Sequence, residues 1–243
     1  MIRNIKLEIE YDGTGFCGWQ VQPELRTVQG EIQQKLKAIL KHEVNLVASG
    51  RTDVGVHALG QVANFKTESP LKPESIMRAL NGLLPDDVVI KKVQEVDSDF
   101  NARYSARSRV YKYRVYLGRT AILRNYAWQV LYPLNRKSIL DATGQILGEN
   151  DFSSFCVAES VKENNRCRVM SAAWEESKNE LVLRIEANRF LHAMVRTLVG
   201  TLIEVGRGYF SVSDFARIIK AKDRKKAGPT APAGGLYLAE VRY

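Results

Sequence analysis

With 243 residues, 45% of them hydrophobic and 26% charged, the chain has the length and composition to bury a substantial core as a soluble globular protein. Its formal net charge of +9 points to a polyanionic partner, nucleic acid before an anionic membrane surface. The membrane is further disfavoured by the lack of a bilayer-length apolar run, of a lipidation motif and of a signal-peptide core in the opening Met-Ile-Arg-Asn-Ile-Lys. Cys17, Cys156 and Cys167 are odd in number and far apart, and His42, His57 and His192 show no ligand spacing. That pattern predicts a reducing cytoplasm, no disulfide framework and no metal site.

Residues 2–11 alternate, with Ile5, Leu7 and Ile9 on one side and Lys6, Glu8 and Glu10 on the other, which predicts a strand with one buried face. The following Asp12 to Gln20 contains a formal G-x-G-x-x-G at Gly13, Gly15 and Gly18. A dinucleotide site needs a helix opening directly on such glycines, and here Trp19, Gln20 and Pro23 intervene, so that reading is rejected. A flexible loop remains, with Phe16 and Trp19 available for packing or for bases. Val28, Ile32, Leu36 and Ile39/Leu40 recur at helical spacing behind a capping Thr27, with Glu31 near the positive end.

Two apolar runs, Val44 to Ala48 and Val62 to Phe65, predict strands around the polar loop Ser49 to Gln61. Within it Gly50, Gly55 and Gly60 permit tight turns, Arg51 and Asp53 sit two apart, and His57 follows four later. One reading is a surface turn with an exposed ion pair, contributing only ~0–1 kcal/mol. The other is a reactive loop aimed by the strands that hold it. A second helix spans Pro73 to Leu84 through Ile76, Met77, Leu80 and Leu83, and a strand runs from Val88 to Val96. The order β-α-β-β-α-β is the split βαβ of ferredoxin-like folds.

From Phe100 to Tyr116, Arg, Lys and Tyr interleave at strand period. Such a surface suits RNA, where bases stack on rings and phosphates meet guanidinium groups. An exposed edge strand guarded by charge would read the same way. A strand near Trp128, a helix from Arg136 to Leu147, a polar loop from Gly148 to Phe155 and strands at 167–175 and 180–187 follow. A long helix is expected from Phe190 to Glu204, a short one from Val212 to Ala221, and a closing strand from Leu236 to Val241. Helical spacing would put Arg189, His192 and Arg196 near one face, as a solvated basic surface or a binding one. Lys222 to Lys226 feed the turn-rich Gly228 to Gly235, either a phosphate-holding loop or a connector. These elements predict an α+β protein of two ferredoxin-like, RRM-like βαββαβ halves, 1–105 and 106–243, with mixed, mainly antiparallel sheets around a central cleft.

Together these stretches resemble the tRNA pseudouridine synthase A family. The resemblance rests on Tyr11-Asp12-Gly13 with Gly18-Trp19-Gln20, on Gly50-Arg51-Thr52-Asp53 with Gly55-Val56-His57, and on Phe100 to Tyr113. Gly148 to Phe155, Phe190 to Gly200 and Thr230-Ala231-Pro232-Ala233 with Gly235-Leu236 complete an ordered set across nearly the whole chain. Val54 stands where alanine is usual, and members often carry a longer C-terminal extension. The resemblance implies isomerisation of uridine to pseudouridine at positions 38 to 40 of the tRNA anticodon arm, by a cytoplasmic homodimer without cofactor or metal. It makes Asp53 the nucleophile, a role suited to a carboxylate that is ionised at neutral pH. By the same resemblance Arg196 pairs with Asp53, Arg51 helps displace the target base, and Tyr111 packs on its uracil. His57 is expected to fix the loop. The rivals are a non-catalytic RNA-binding protein of the same fold and an RNA hydrolase using Asp53 with His57.

Overall fold

The computed structural model describes residues 1–161 and 163–243. Among them the first part of the chain forms β1 (Arg3–Tyr11), α1 (Val28–Leu40), β2 (Val47–Ala48), β3 (His57–Thr67), α2 (Pro73–Leu83) and β4 (Val88–Val96). Then come β5 (Ser108–Leu117), β6 (Trp128–Val130), α3 (Arg136–Gly144), β7 (Gly148–Asp151), β8 (Arg166–Glu176) and β9 (Glu180–Ala187). Finally α4 (Met194–Arg207), α5 (Val212–Ala221) and β10 (Leu236–Arg242) complete the chain. The chain divides into two compact units, residues 1–107 with 237–243, and residues 108–236. No described helix is long and apolar enough to cross a membrane.

In the first unit β1 lies between β4 and β3, antiparallel to both, and β2 pairs antiparallel with the far edge of β3. This is the strand order β4-β1-β3-β2 that the predicted β-α-β-β-α-β sequence requires. Tyr237 and Leu238 of β10 run parallel to His57 and Ala58 on that same edge. The alternation of β1 is realised: Ile5, Leu7 and Ile9 are fully buried, and so are the α1 stripe of Val28, Ile32 and Leu36 and the α2 pair Ile76 and Leu80. Each such side chain contributes about 1.5–3 kcal/mol by leaving water. The Thr27 hydroxyl caps α1 by accepting from the Gly30 N–H, Lys41 ends it in a left-handed conformation, and Pro73 opens α2.

The second unit is an antiparallel run β5-β9-β8-β7 with β6 parallel to β5. Its helices pack on one another, and α4 is buried along nearly its whole length. A strap of chain, Gly228 to Pro232, crosses α4. A Cβ at Gly200 would lie 1.8 Å from the Pro229 carbonyl oxygen, so only glycine fits there.

Several boundaries differ from expectation. The polar loop is shorter than Ser49 to Gln61, because β3 begins at His57, where pairing of Ala58 with Tyr11 and of His57 with Tyr237 makes the backbone extended. Phe16 and Trp19 are buried packing residues, not ones open to bases. The interleaved stretch is a strand only from Ser108: the Asn101 side chain accepts the Arg103 and Tyr104 N–H groups and curls the chain before it. The helix from Arg136 stops at Gly144, and Gly148 to Asp151 is a strand paired with β8 rather than loop. Ala193 is left-handed (φ 58°), so α4 starts at Met194 and only Arg196 of the three basic residues lies on a helix.

The close approach at Gly200 predicts that Gly200→Ala destabilises the protein by about 3 kcal/mol or more, lowering Tm by roughly 6–12 °C. Gly82, exposed on α2 with no atom within 4 Å of a built Cβ, gives the opposite sign. Gly82→Ala should stabilise by about 0.5–1 kcal/mol. Thermal unfolding followed by circular dichroism checks both.

Candidate active site

The loop between β2 and β3 carries Arg51 and Asp53, the first exposed and the second half-buried. It is fastened at several points. The Ser49 N–H donates to the Val62 carbonyl (2.8 Å), the Ser49 hydroxyl to Gln61 Oε1 (2.8 Å), and Gln61 Nε2 to the Gly50 carbonyl (2.9 Å). Thr52, between the two charged residues, turns inward: its hydroxyl shares a 2.7 Å hydrogen bond with the Tyr11 hydroxyl, and its carbonyl accepts the Trp19 N–H (3.1 Å). Because Thr52 is buried and held on both its side chain and its backbone, its neighbours Arg51 and Asp53 project from a fixed backbone. The Val56 N–H closes the turn on the Asp53 carbonyl (3.2 Å), with Gly55 at φ 75°.

Backbone-to-backbone contact completes the clamp. Gly18, at φ 82°, would place a Cβ 2.8 Å from the Thr52 carbonyl oxygen, and Gly13 would place one 2.0 Å from that of Val56. The glycines of the formal dinucleotide motif thus serve close approach to the Asp53 loop, and α1 opens only at Val28. His57 is buried, stacks on Tyr237 (4.8 Å between centroids), and accepts the Gly13 N–H at Nδ1 (3.0 Å). Asp12 Oδ1 lies 3.1 Å from the same nitrogen and also accepts from the Thr14 N–H and hydroxyl. The contacts of His57 are those of a loop-fixing residue.

In the second unit Tyr111 stands half-buried on β5, with the Phe190 ring edge-on at 5.0 Å. Arg196, in the first turn of α4, is aimed by the strap: its Nε donates to the Ala231 carbonyl (2.9 Å), and the Ala231 N–H donates to the Arg196 carbonyl (3.1 Å). One turn on, the Gly228 N–H donates to the Thr201 hydroxyl (3.0 Å), which donates to the Thr197 carbonyl (2.8 Å). The Tyr113 hydroxyl donates to the Pro232 carbonyl (2.7 Å), and burial raises its pKa well above the ordinary tyrosine range. Tyr113 is therefore a neutral strut beneath the strap.

Arg51 and Asp53 share one loop of the first unit, while Tyr111 and Arg196 sit on separate elements of the second. The supports that sequence reading did not single out are the Tyr11–Thr52 bond, Tyr113 and the Thr197–Thr201 ladder. Tyr11 and Trp19 stood in the quoted motifs, but nothing in their spacing shows that they hold Thr52. Burial pushes the Cys167 thiol up to about 11 and raises that of Cys156, so neither is a ready nucleophile. Among the described residues no group of three or more His, Cys, Asp or Glu could hold a metal ion.

The family model described as tRNA pseudouridine synthase matches residues 8–105 and 142–243. Arg51, Asp53 and Arg196 fall inside that match and Tyr111 between its two segments. The chain is 47% identical to a tRNA pseudouridine synthase A of Caldicellulosiruptor bescii, over 100% of both chains. It is 48% identical to that of Caldicellulosiruptor saccharolyticus and 43% to that of Thermoanaerobacter sp. (strain X514), again over 100% of each chain. With the fold, the anchored Asp53 loop and this full-length likeness together, the chain belongs to the tRNA pseudouridine synthase family.

Proposed function

We propose that the chain is an intramolecular isomerase converting uridine to pseudouridine at positions 38, 39 and 40 of the tRNA anticodon stem-loop, with Asp53 as nucleophile and neither cofactor nor metal. The observation that carries this reading is the full-length identity to proteins named tRNA pseudouridine synthase A. The net charge of +9 supports a polyanionic substrate. The held Thr52 backbone supports the role of Asp53, since a nucleophile needs fixed aim as well as charge.

The reaction breaks the N1–C1′ bond and forms C5–C1′, while C5 loses a proton and N1 gains one, so mass is conserved. Attack at C1′, addition at C6 and assistance to a glycal are all open to a carboxylate at Asp53. Tyr111 packs on the target uracil, and Arg51 and Arg196 are the substrate-binding cations. Extruding a base costs a few kcal/mol, which a receiving ring and cations offset. The protein works in the cytoplasm as a homodimer, and sedimentation equilibrium should give twice the chain mass of 27.4 kDa.

The decisive assay incubates a tRNA transcript tritiated at uridine C5 with protein and EDTA. Wild type should release tritium and leave the RNA intact, while Asp53→Ala and Asp53→Asn release none. Tight binding without release would favour a non-catalytic RNA-binding protein, and strand scission a hydrolase. Arg196→Lys keeps the charge but loses the guanidinium fork that reaches both Ala231 and substrate. A charge-assisted hydrogen bond is worth ~1.5–3 kcal/mol, so turnover should fall roughly 10- to 100-fold. Full activity in that variant would refute the part given to Arg196.

A further inference from the structure

Beyond the four assigned residues, the second unit carries a groove of about 650 Å³ at the C-terminal half of α4, lined by Glu204, Tyr209, Phe210 and the run Arg224 to Pro229. Its basic wall is rigidly built. Asp223 caps the short turn Arg224–Lys226 by accepting the Lys225 N–H (2.9 Å), and its own N–H donates to the buried Ser154 hydroxyl (3.0 Å). Arg224 faces inward, donating to the Gly228 carbonyl (3.0 Å) and the Thr230 hydroxyl (2.9 Å). Lys225 and Lys226 are exposed beside the groove. On the other wall Tyr209 is 73% exposed and held edge-on by Phe210 at 4.9 Å between centroids. The one carboxylate, Glu204, faces Arg207 at 3.6 Å, so its charge is partly neutralised.

Paired lysines on a fixed turn opposite an exposed aromatic ring are the elements of a nucleic-acid backbone contact: ammonium groups for phosphates, a ring for a base or ribose. We propose that this groove grips the phosphodiester backbone of the tRNA away from the target nucleotide, with Lys225 and Lys226 on phosphates and Tyr209 stacked against an adjoining base or sugar. The identity of the RNA rests on the isomerase reading. Glu204 lies eight residues from Arg196 along α4, about 12 Å at the helical rise. The grip is joined to Arg196 through the strap, whose Pro229 lines the groove and whose Ala231 holds the Arg196 guanidinium. Lys225 and Lys226 are thus affinity residues that also tether the segment positioning Arg196.

The test compares wild type, Lys225→Gln/Lys226→Gln, and the charge-matched control Lys91→Gln/Lys92→Gln on β4, each binding full-length tRNA across a salt series. The groove variant should raise Kd on the order of tenfold at 0.1 M salt and flatten the plot of log Kd against log salt by about 2. The loss in turnover assays should fall on KM, and unchanged Tm shows that the fold is intact. Tyr209→Ala should weaken binding further and Tyr209→Phe restore it, because stacking needs the ring and not its hydroxyl. A groove variant whose Kd and salt slope match those of the control overturns the proposal. Binding needs no turnover, so absence of tritium release by wild type would sink the isomerase reading while the salt series still judged the groove.

Discussion

A short loop carrying charged side chains cannot fix its own position, since few of its atoms are buried and its charged groups prefer water. In this chain the burden falls on Thr52, the one residue between Arg51 and Asp53 that faces inward. Its hydroxyl meets Tyr11 on β1 and its carbonyl meets the Trp19 N–H, so the loop takes its geometry from the sheet and from the segment before α1. Gly18 and Gly13 let that segment lie against the loop without side chains between them. The cost is the conformational entropy of ordering glycine. The gain is a backbone that supports the two flanking side chains while leaving one exposed and the other half-buried.

The second unit solves a similar problem with a helix. Arg196 is in the first turn of α4, where a long flexible side chain would sample many rotamers. The Ala231 carbonyl restricts it by accepting from Nε. Tyr113 and Arg224 in turn brace the strap from its two sides, at Pro232 and at Gly228 with Thr230. Orientation of one cation therefore depends on a layer of hydrogen bonds that do not involve its own guanidinium.

Much of the fold was legible because it follows local periodicity. The alternation of Ile5, Leu7 and Ile9 and the helical spacing of Val28, Ile32 and Leu36 each mark one buried face, and those faces are buried. Boundaries were less legible where side chains rather than patterning decide them. Asn101 curls the chain that composition alone would extend to β5, and left-handed Ala193 delays α4 by one turn. Asp53 and Arg196 were visible as motif residues, whereas the roles of Tyr113 and Thr201 arise from pairings distant in sequence. Tyr113 meets Pro232 and Thr201 meets Gly228, which no periodicity encodes. The glycines at 13 and 18 show the reverse lesson: a phosphate-loop pattern arose from backbone packing.

The strap has a further consequence for chain length. Gly228, Pro229, Thr230 and Ala231 meet Thr201, Gly200, Thr197 and Arg196 in reverse order, each residue matched to a position on α4. Three extended steps, about 10 Å, are laid along five helical ones, about 7.5 Å. An inserted or deleted residue between Gly228 and Ala231 would displace the match by roughly one step and strand the Arg196 guanidinium. Surface loops ordinarily absorb such changes in length at small cost. Here the residue count is itself part of the site, as tightly constrained as the identity of any side chain in it.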